Sequence, residues 1–349
     1  IFEGPGMDAF AESPEWGGSL VIFPFMYYET YGDDSLIKKY YPNMRRYVDY
    51  LKTRADKGIL SFGLGDWYDY GDFRAGFSRN TPVPLVATAH YYMTVMYLVQ
   101  AAKMVGNDFD TRYYTSLAQD IMAAFNKYFL HKDTAQYGTG SQCSNALPLF
   151  LQMTQDADEQ GNYRPDADLH EKVFTNLIKD VEAHGNRLTT GDVGNRYLIQ
   201  TLARNGEHEL IYKMFNHEEA PGYGFLLKFG ATTLTEQWDP RQGSSWNHFM
   251  MGQIDEWFFN SLVGIRPSTT PKQGYQKFII APQPVGDLKY VKASYDTLYG
   301  TINVDWTCEN GTFTLNVSVP VNTTAVVYLP GEKEPKEIQS GTYQLVCAK

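Results

Sequence analysis

Up to about residue 264, apolar residues recur at intervals of three and four. Beyond it they fall at every second position. The first spacing gathers apolar side chains on one face of an α-helix, the second on one face of a strand. Helices are therefore predicted over 18–31, 35–54, 84–105, 110–129, 141–155, 167–183, 193–205, 207–215 and 246–263. Asp34 and Asp110 stand where N-caps belong, and Gly32, Gly106 and Asn205-Gly206 where helices stop. In the last part, TINVDW, TFTLNVSV and TTAVVYLP alternate between Gly, Asn and Pro turns, as antiparallel strands with one wet face do. The expected fold is mainly α with a β domain: a helical domain over 1–264 and an antiparallel β-sandwich over 265–349.

The connections are uneven. Short links follow residues 31, 105 and 205. Long or Gly- and aromatic-rich ones contain FEGPGMDAFAESPEWG, LSFGLGDWYDYGDF, AQYGTGSQ, TTGDVGN and the 217–245 segment. In an up-and-down helical array every second connection lies at the same end, so these five loops should share one face. Trp16, Trp67, Trp238 and Trp246 lie in or beside them. Nine helices in this order suggest a ring of hairpins. A closed (α/α)6 barrel needs twelve, so the barrel is expected to be incomplete at the N-terminus, with about three helices preceding Ile1.

Composition narrows the chemistry. The 349 residues carry a formal charge of −10, and no basic patch suited to nucleic acid is visible. No apolar run is long enough to span a membrane, so a soluble protein is expected. Cys143, Cys308 and Cys347 form no CxxC pair, and neither a metal nor a cofactor is called for. Asp66, Asp69 and Asp72 recur every third residue without the alternation of a calcium loop. Asn310 and Asn322 begin glycosylation-type triplets and read more simply as turn residues. Aromatic content is 15%, with 26 Tyr and 6 Trp, rings that suit a wet groove holding a partly apolar ligand.

The candidate loops hold Glu12, Glu15, Asp66, Asp69, Asp72, Asp192, Glu236, Asp239, Arg241 and His248. Carboxylates set among indoles, without a Cys/His cluster, point to a carbohydrate partner. The segment ATTLTEQWDP places Glu236 among Thr232, Thr233 and Thr235 and beside Trp238. Thr hydroxyls would stabilise its carboxylate form, and the indole would wall the site. Each residue also has a plainer structural reading: Asp66 in a turn, Asp192 as an N-cap, His248 packed at the head of a helix, Glu236 in an ion pair with Arg241.

Taken in order, SPEWGGSLVIFPFMYYETYGD, YYPNMRRYVDYL, GLGDWYDYG, TTGDVGNRY, TTLTEQWDP, SSWNHFMMG and FIIAPQPVGDL resemble the C-terminal half of a bacterial α-L-rhamnosidase of glycoside hydrolase family 78. The likeness covers nearly the whole chain. It implies an (α/α)6 barrel followed by a β-sandwich, and an inverting hydrolase releasing terminal α-L-rhamnose. Glu236 matches the family's general base, Asp66 a sugar-contacting acid with Trp67 beside it, and His248 a residue that binds a sugar hydroxyl. Trp16, Trp238, Trp246, Asp192 and Glu15 complete the expected substrate-binding set. The family's general acid lies in a charged stretch before the first matched segment, and no such stretch occurs here, which implies an acid upstream of this chain. The familiar Trp-Gly-Asp reads Trp16-Gly17-Gly18, the mark of a divergent subgroup. Two other readings stand beside this one. The first is a helical-barrel hydrolase or lyase for uronic acids, with Arg74, Arg79 and Arg241 as the nearby cations. The second is a non-catalytic glycan-binding protein.

Overall fold

The computed structural model describes residues 12–157, 163–242, 245–268 and 271–348. The start of the first aromatic-rich loop, residues 2–11, and Gly243 and Ser244 of the Glu236 segment lie outside them. Two compact units emerge. One comprises Ile1–Phe23, Ile37–Arg204 and Lys213–Gly252, the other Pro24–Leu36, Asn205–Tyr212 and Gln253–Lys349.

Two kinds of helix alternate in the first unit. Val83–Met104 is apolar almost all round and buries fifteen residues. Asp108–Phe129, which follows it, buries one face only, through Tyr114, Ala118, Ile121, Met122 and Phe125. The pair then repeats. Gln142–Phe150 is buried along nearly its whole length, Ala167–Ala183 only through Val173, Leu177 and Val181, and Gly194–Arg204 again on most sides. Ser35–Arg54 is one-sided, burying Ile37, Tyr41, Met44, Val48 and Leu51. A helix apolar on every side must be enclosed, whereas an amphipathic one has a wet face. Inner and outer walls thus alternate along the chain, the logic of a barrel of helical hairpins.

Most helix ends follow their signals. Gly32, Gly106 and Gly206 take φ of 71°, 74° and 83°, the left-handed conformation that closes a helix. Asp110 is not a cap. Asn107 is, accepting the Asp110 N–H at 3.0 Å, while Asp110 is buried in the first turn and takes a hydrogen bond from Tyr41 at 2.6 Å. The helix expected over 141–155 ends at Phe150, before Gln152 at φ 56°. The one expected over 246–263 is broken into a 3-10 turn, Phe249–Met251, a short α-helix, Ile254–Trp257, and a π-helical turn, Phe258–Val263. A short helix at Tyr223–Lys228 falls within a segment expected to be loop.

Among the described residues the second unit carries eight strands: β1 (Ile265–Pro267), β2 (Lys277–Ile280), β3 (Tyr290–Thr297), β4 (Gly300–Glu309), β5 (Thr312–Val319), β6 (Thr324–Val327), β7 (Lys336–Ile338) and β8 (Gly341–Ala348). They form two four-stranded sheets, ordered β8-β5-β4-β3 and β7-β6-β2-β1. The first is antiparallel throughout. In the second, β2 and β6 run parallel, because the chain leaves β2 for the other sheet and returns to pair beside it. Alternate residues are buried, among them Ile302, Val304 and Trp306 on β4, Phe313, Leu315 and Val317 on β5, and Ala325 and Val327 on β6. The Trp306 indole N–H donates to the Leu262 carbonyl at 2.9 Å, so this buried ring keeps its hydrogen bond. Asn310 and Asn322 occupy positive-φ turn positions next to strand ends. The three cysteines are free thiols.

Candidate active site

The loops predicted to share a face are sewn together by hydrogen bonds, all within the first unit. Ser13 Oγ accepts the Leu64 N–H and Glu15 Oε1 the Gly65 N–H, at 3.0 and 3.1 Å. The Trp67 carbonyl accepts the Asp192 N–H at 2.7 Å, and the Thr189 carbonyl accepts the Tyr70 N–H at 3.1 Å. Thr81 and Ser141 hydroxyls meet at 2.7 Å. Gln142 brackets the next loop, donating to the Arg187 carbonyl and accepting the Thr189 N–H. The Trp238 indole closes the set by donating to the Thr190 carbonyl at 3.2 Å.

Close backbone approach makes this stitching possible. A Cβ on Gly191 would stand 2.1 Å from the Trp67 carbonyl oxygen. One on Gly194 would stand 2.6 Å from Asp66 Oδ2 and 2.8 Å from the Cys143 sulfur. The GDVGN motif is glycine-rich because two loops touch there through their backbones.

Asp66 is completely buried, with the Gly194 N–H at 2.6 Å from Oδ1 and the Cys143 thiol beside it. Burial raises its carboxyl to about 7, opposed by the Gly191 and Gly194 N–H groups and reinforced by the charge of Asp69. The residue expected to contact the sugar is thus a buried carboxyl held by backbone N–H groups of a neighbouring loop. Asp192 is buried too. Desolvation, then the charges of Asp66 and Glu236, push it up to about 8. Glu15 is raised to about 7 by burial, against hydrogen bonds from Ser13 and Gly65. Asp69 is a loop fastener, accepting the Arg79 and Asn80 N–H groups at 2.8 and 2.6 Å.

Glu236 differs from all of these. It is half-exposed, and its carboxylate accepts the Ser245 N–H at 3.3 Å, while its own N–H donates to the Ser245 carbonyl. Two of the three threonine hydroxyls expected around it go elsewhere. Thr235 donates to the Gln237 carbonyl at 2.7 Å and Thr233 to the Trp246 carbonyl. Arg241 does not pair with Glu236 either. It holds Asp239 through two bonds of 2.8 Å, which keeps Asp239 below the ordinary carboxylate range.

The tryptophans divide. Trp238 is 1% exposed and packs edge-on against Tyr223, so it fills the base of the segment and forms no open wall. Trp246 is 43% exposed, its N–H on the Pro240 carbonyl. Trp67 is half-exposed and meets Tyr68 and Phe77 edge-on, and Trp16 is half-exposed in the short helix Pro14–Gly17. His248 does not head a long helix. It is extended (φ −138°), half-exposed and stacked on Phe249, with its N–H on the Leu234 carbonyl.

Tyr68 escaped the residue-by-residue reading. Its φ of 59° is uncommon for a bulky residue, and the Gly76 carbonyl fixes it by accepting its N–H at 2.8 Å. Burial and then the charges of Glu236 and Asp192 raise its phenol, while Arg74 opposes them. The hydroxyl thus stays protonated under the charge of two carboxyl groups. The density of rings in GDWYDYG was the available signal.

Residues 3–262 match the family model of the bacterial alpha-L-rhamnosidase 6 hairpin glycosidase domain, and residues 264–344 that of the bacterial alpha-L-rhamnosidase C-terminal domain. The chain is 28% identical over 335 residues to an alpha-L-rhamnosidase of Streptomyces avermitilis, covering 93% of this chain and 30% of that protein. It is 29% identical over 340 residues to one of Formosa agariphila, covering 95% and 35%. It spans about a third of the length of these relatives. Among solved structures, an alpha-L-rhamnosidase from Dictyoglumus thermophilum superposes with a TM-score of 0.84 at 30% identity, over 97% of this chain and 40% of that one. The Streptomyces avermitilis enzyme complexed with L-rhamnose gives 0.82 at 25% identity, over 95% and 33%. With a hairpin-barrel model matched along most of its length, the chain belongs to the bacterial α-L-rhamnosidase six-hairpin glycosidase family.

Proposed function

We propose that the chain carries the sugar-binding face of a glycoside hydrolase that releases terminal α-L-rhamnose with inversion, with Glu236 as general base. One observation carries the reading: Glu236 is a half-exposed carboxylate whose charge acts on the buried Asp192 of a second loop, which in turn feels the buried Asp66 of a third. Raised to about 7 and 8, Asp66 and Asp192 keep their protons in mildly acidic solution and there add little negative charge near Glu236. That leaves Glu236 to accept a proton from water on the face of the sugar opposite the leaving oxygen. Trp67, Tyr68, Trp246 and His248 are the partly exposed groups around it that suit a sugar ring and its hydroxyls. The general acid that protonates the leaving oxygen comes from outside this constellation, across the roughly 6.5–9.5 Å of an inverting pair.

The uronic-acid reading needs free cations at this face. Of its three candidates, Arg241 is engaged by Asp239 and the Arg79 guanidinium sits 5.5 Å over the Phe73 ring, which leaves Arg74, whose charge reaches Tyr68. Rhamnose, which has a methyl group and no carboxylate, fits better.

The test uses p-nitrophenyl α-L-rhamnoside within a panel of aryl glycosides, because a good leaving group needs little protonation. Release from the rhamnoside alone, at least about a hundredfold slower in Glu236→Gln, is expected. NMR should show the anomer of inverted configuration as first product. Equal rates in the variant would remove Glu236 as base, and a product of retained configuration would remove the inverting mechanism.

A further inference from the structure

A groove on the flank of the helical unit lies apart from the loop cluster, between Ser35–Arg54 and Asp108–Phe129. It encloses about 500 Å³, within the range of about 300–1,000 Å³ common for small-molecule sites. One wall is a flat aromatic shelf. Phe109 and Tyr113, one helical turn apart, lie with ring planes 6° from parallel and centroids 6.3 Å apart. They are 70% and 40% exposed, a large apolar surface for a helix to offer water. The shelf is held in place. Lys52 Nζ donates to the Tyr113 hydroxyl at 2.5 Å and sits 4.9 Å over the ring, and Tyr114 packs edge-on behind it.

The opposite wall is polar and pre-set. The Asp49 carboxylate accepts from Tyr114 at 2.8 Å. Arg45 lies 3.2 Å from the buried Asp110, whose carboxylate Tyr41 and Asn107 also engage. Thr53 adds a hydroxyl to the lining. Arg45 and Lys52 offset Asp49 and Asp110, so the groove has no net charge to favour a strongly ionic ligand. Two exposed rings with parallel planes, facing a mixed set of donors and acceptors, suit a ligand with a flat C–H face and a hydroxyl-bearing edge.

We propose that this groove is a second, non-catalytic carbohydrate site that takes one or two pyranose units of a glycan chain. The rings stack on the C–H faces, and Asp49, Thr53 and Arg45 take the hydroxyl edges. Only the choice of a rhamnose-bearing glycan as probe rests on the proposed function. The groove would hold a branched polymer against the enzyme while its chain ends are cleaved elsewhere.

The experiment is affinity electrophoresis of the full chain through gels containing gum arabic, a soluble polysaccharide bearing rhamnose. Retardation of the wild type is expected, with apparent affinity at least about tenfold weaker in Phe109→Ala/Tyr113→Ala. Tyr113→Phe, which keeps the ring, should be retarded normally, as should Glu236→Gln. The shelf variant should release nitrophenol from the aryl rhamnoside at the wild-type rate, with an unchanged melting temperature. No retardation of the wild type, or equal retardation of the shelf variant, overturns the proposal. Shelf-dependent retardation in a chain inactive on every aryl glycoside would leave the groove standing and remove the proposed hydrolase.

Discussion

Two irregular segments meet at the site and are built in opposite ways. The loop of Asp66, residues 61–82, is fastened at many points. Asp69 takes two backbone N–H groups, Asn80 reaches the carbonyls of Tyr70 and Thr189, and Asp66 is sealed against Gly194. The segment of Glu236 rests on a buried indole, a Thr235 hydroxyl turned back on its own backbone, and a pair of bonds to Ser245. In the first, Asp66 and Asp69 are desolvated and raised above the ordinary carboxylate range. In the second, one carboxylate is left toward solvent. Burial separates the two segments, because ionising a desolvated carboxyl costs free energy.

The largest expected effect would sharpen this division. Glu236→Gln should slow turnover at least about a hundredfold, about 2.7 kcal/mol in barrier, with the melting temperature unchanged. If turnover held while the protein lost stability, Glu236 would belong with the fasteners.

The buried acids make the next prediction. Asp66 and Asp192 titrate near 7 and 8 in the folded chain, against ordinary values of 3.8. Between those limits the folded state keeps protons that the unfolded chain has released. Their contribution to stability is therefore complete below about pH 4 and is lost as pH rises through 7 to 8. The melting temperature should fall from pH 5 to pH 8. Asp192→Asn, which cannot ionise, should flatten that fall, by about 1.4 kcal/mol for each pH unit over which only the folded carboxyl holds its proton. An unchanged slope would mean that Asp192 is solvated in the folded protein.

A smaller effect tests the contact between the loops. In Gly191→Ala the new methyl would meet the Trp67 carbonyl, so one loop must move, at a cost of about 1–3 kcal/mol. Because the Trp67 carbonyl also receives the Asp192 N–H, KM for the aryl rhamnoside should rise as well. Lost stability with unchanged KM would separate the stitching from sugar binding.

The fold was legible wherever one period ran unbroken. Ala167–Ala183 and the long strands lie where their spacing predicts, since an apolar stripe defines its own element. The stretch 246–263 misled, because WNHFMMGQIDEWFF has the apolar density of a helix. Gly252 and an extended His248 divide it, and neither alters a count of apolar residues. At the site, the loops that carry it could be read from connection length alone. Burial could not. Asp66 and Trp238 attract attention by type, yet both are sealed by partners more than forty residues away, Gly194 and Thr190. Tyr68 went unseen because its backbone conformation depends on Gly76, which no local pattern announces.

The smallest effect bears on what surrounds Glu236. Alcohols flanking a carboxylate in sequence suggest direct hydrogen bonds, yet the Thr235 hydroxyl closes on the Gln237 carbonyl and is fully buried. Thr235→Val keeps the shape and removes one hydroxyl, leaving that carbonyl short of a partner, at a cost of about 1 kcal/mol. Urea unfolding would measure it. The pH profile of kcat/KM on the aryl rhamnoside should stay where it is, because the Ser245 N–H, not the threonine, faces the Glu236 carboxylate. An acid limb that moves with Thr235→Val would put the hydroxyl back on the carboxylate. The looser segment would then owe its chemistry to the threonines that mark it in the sequence.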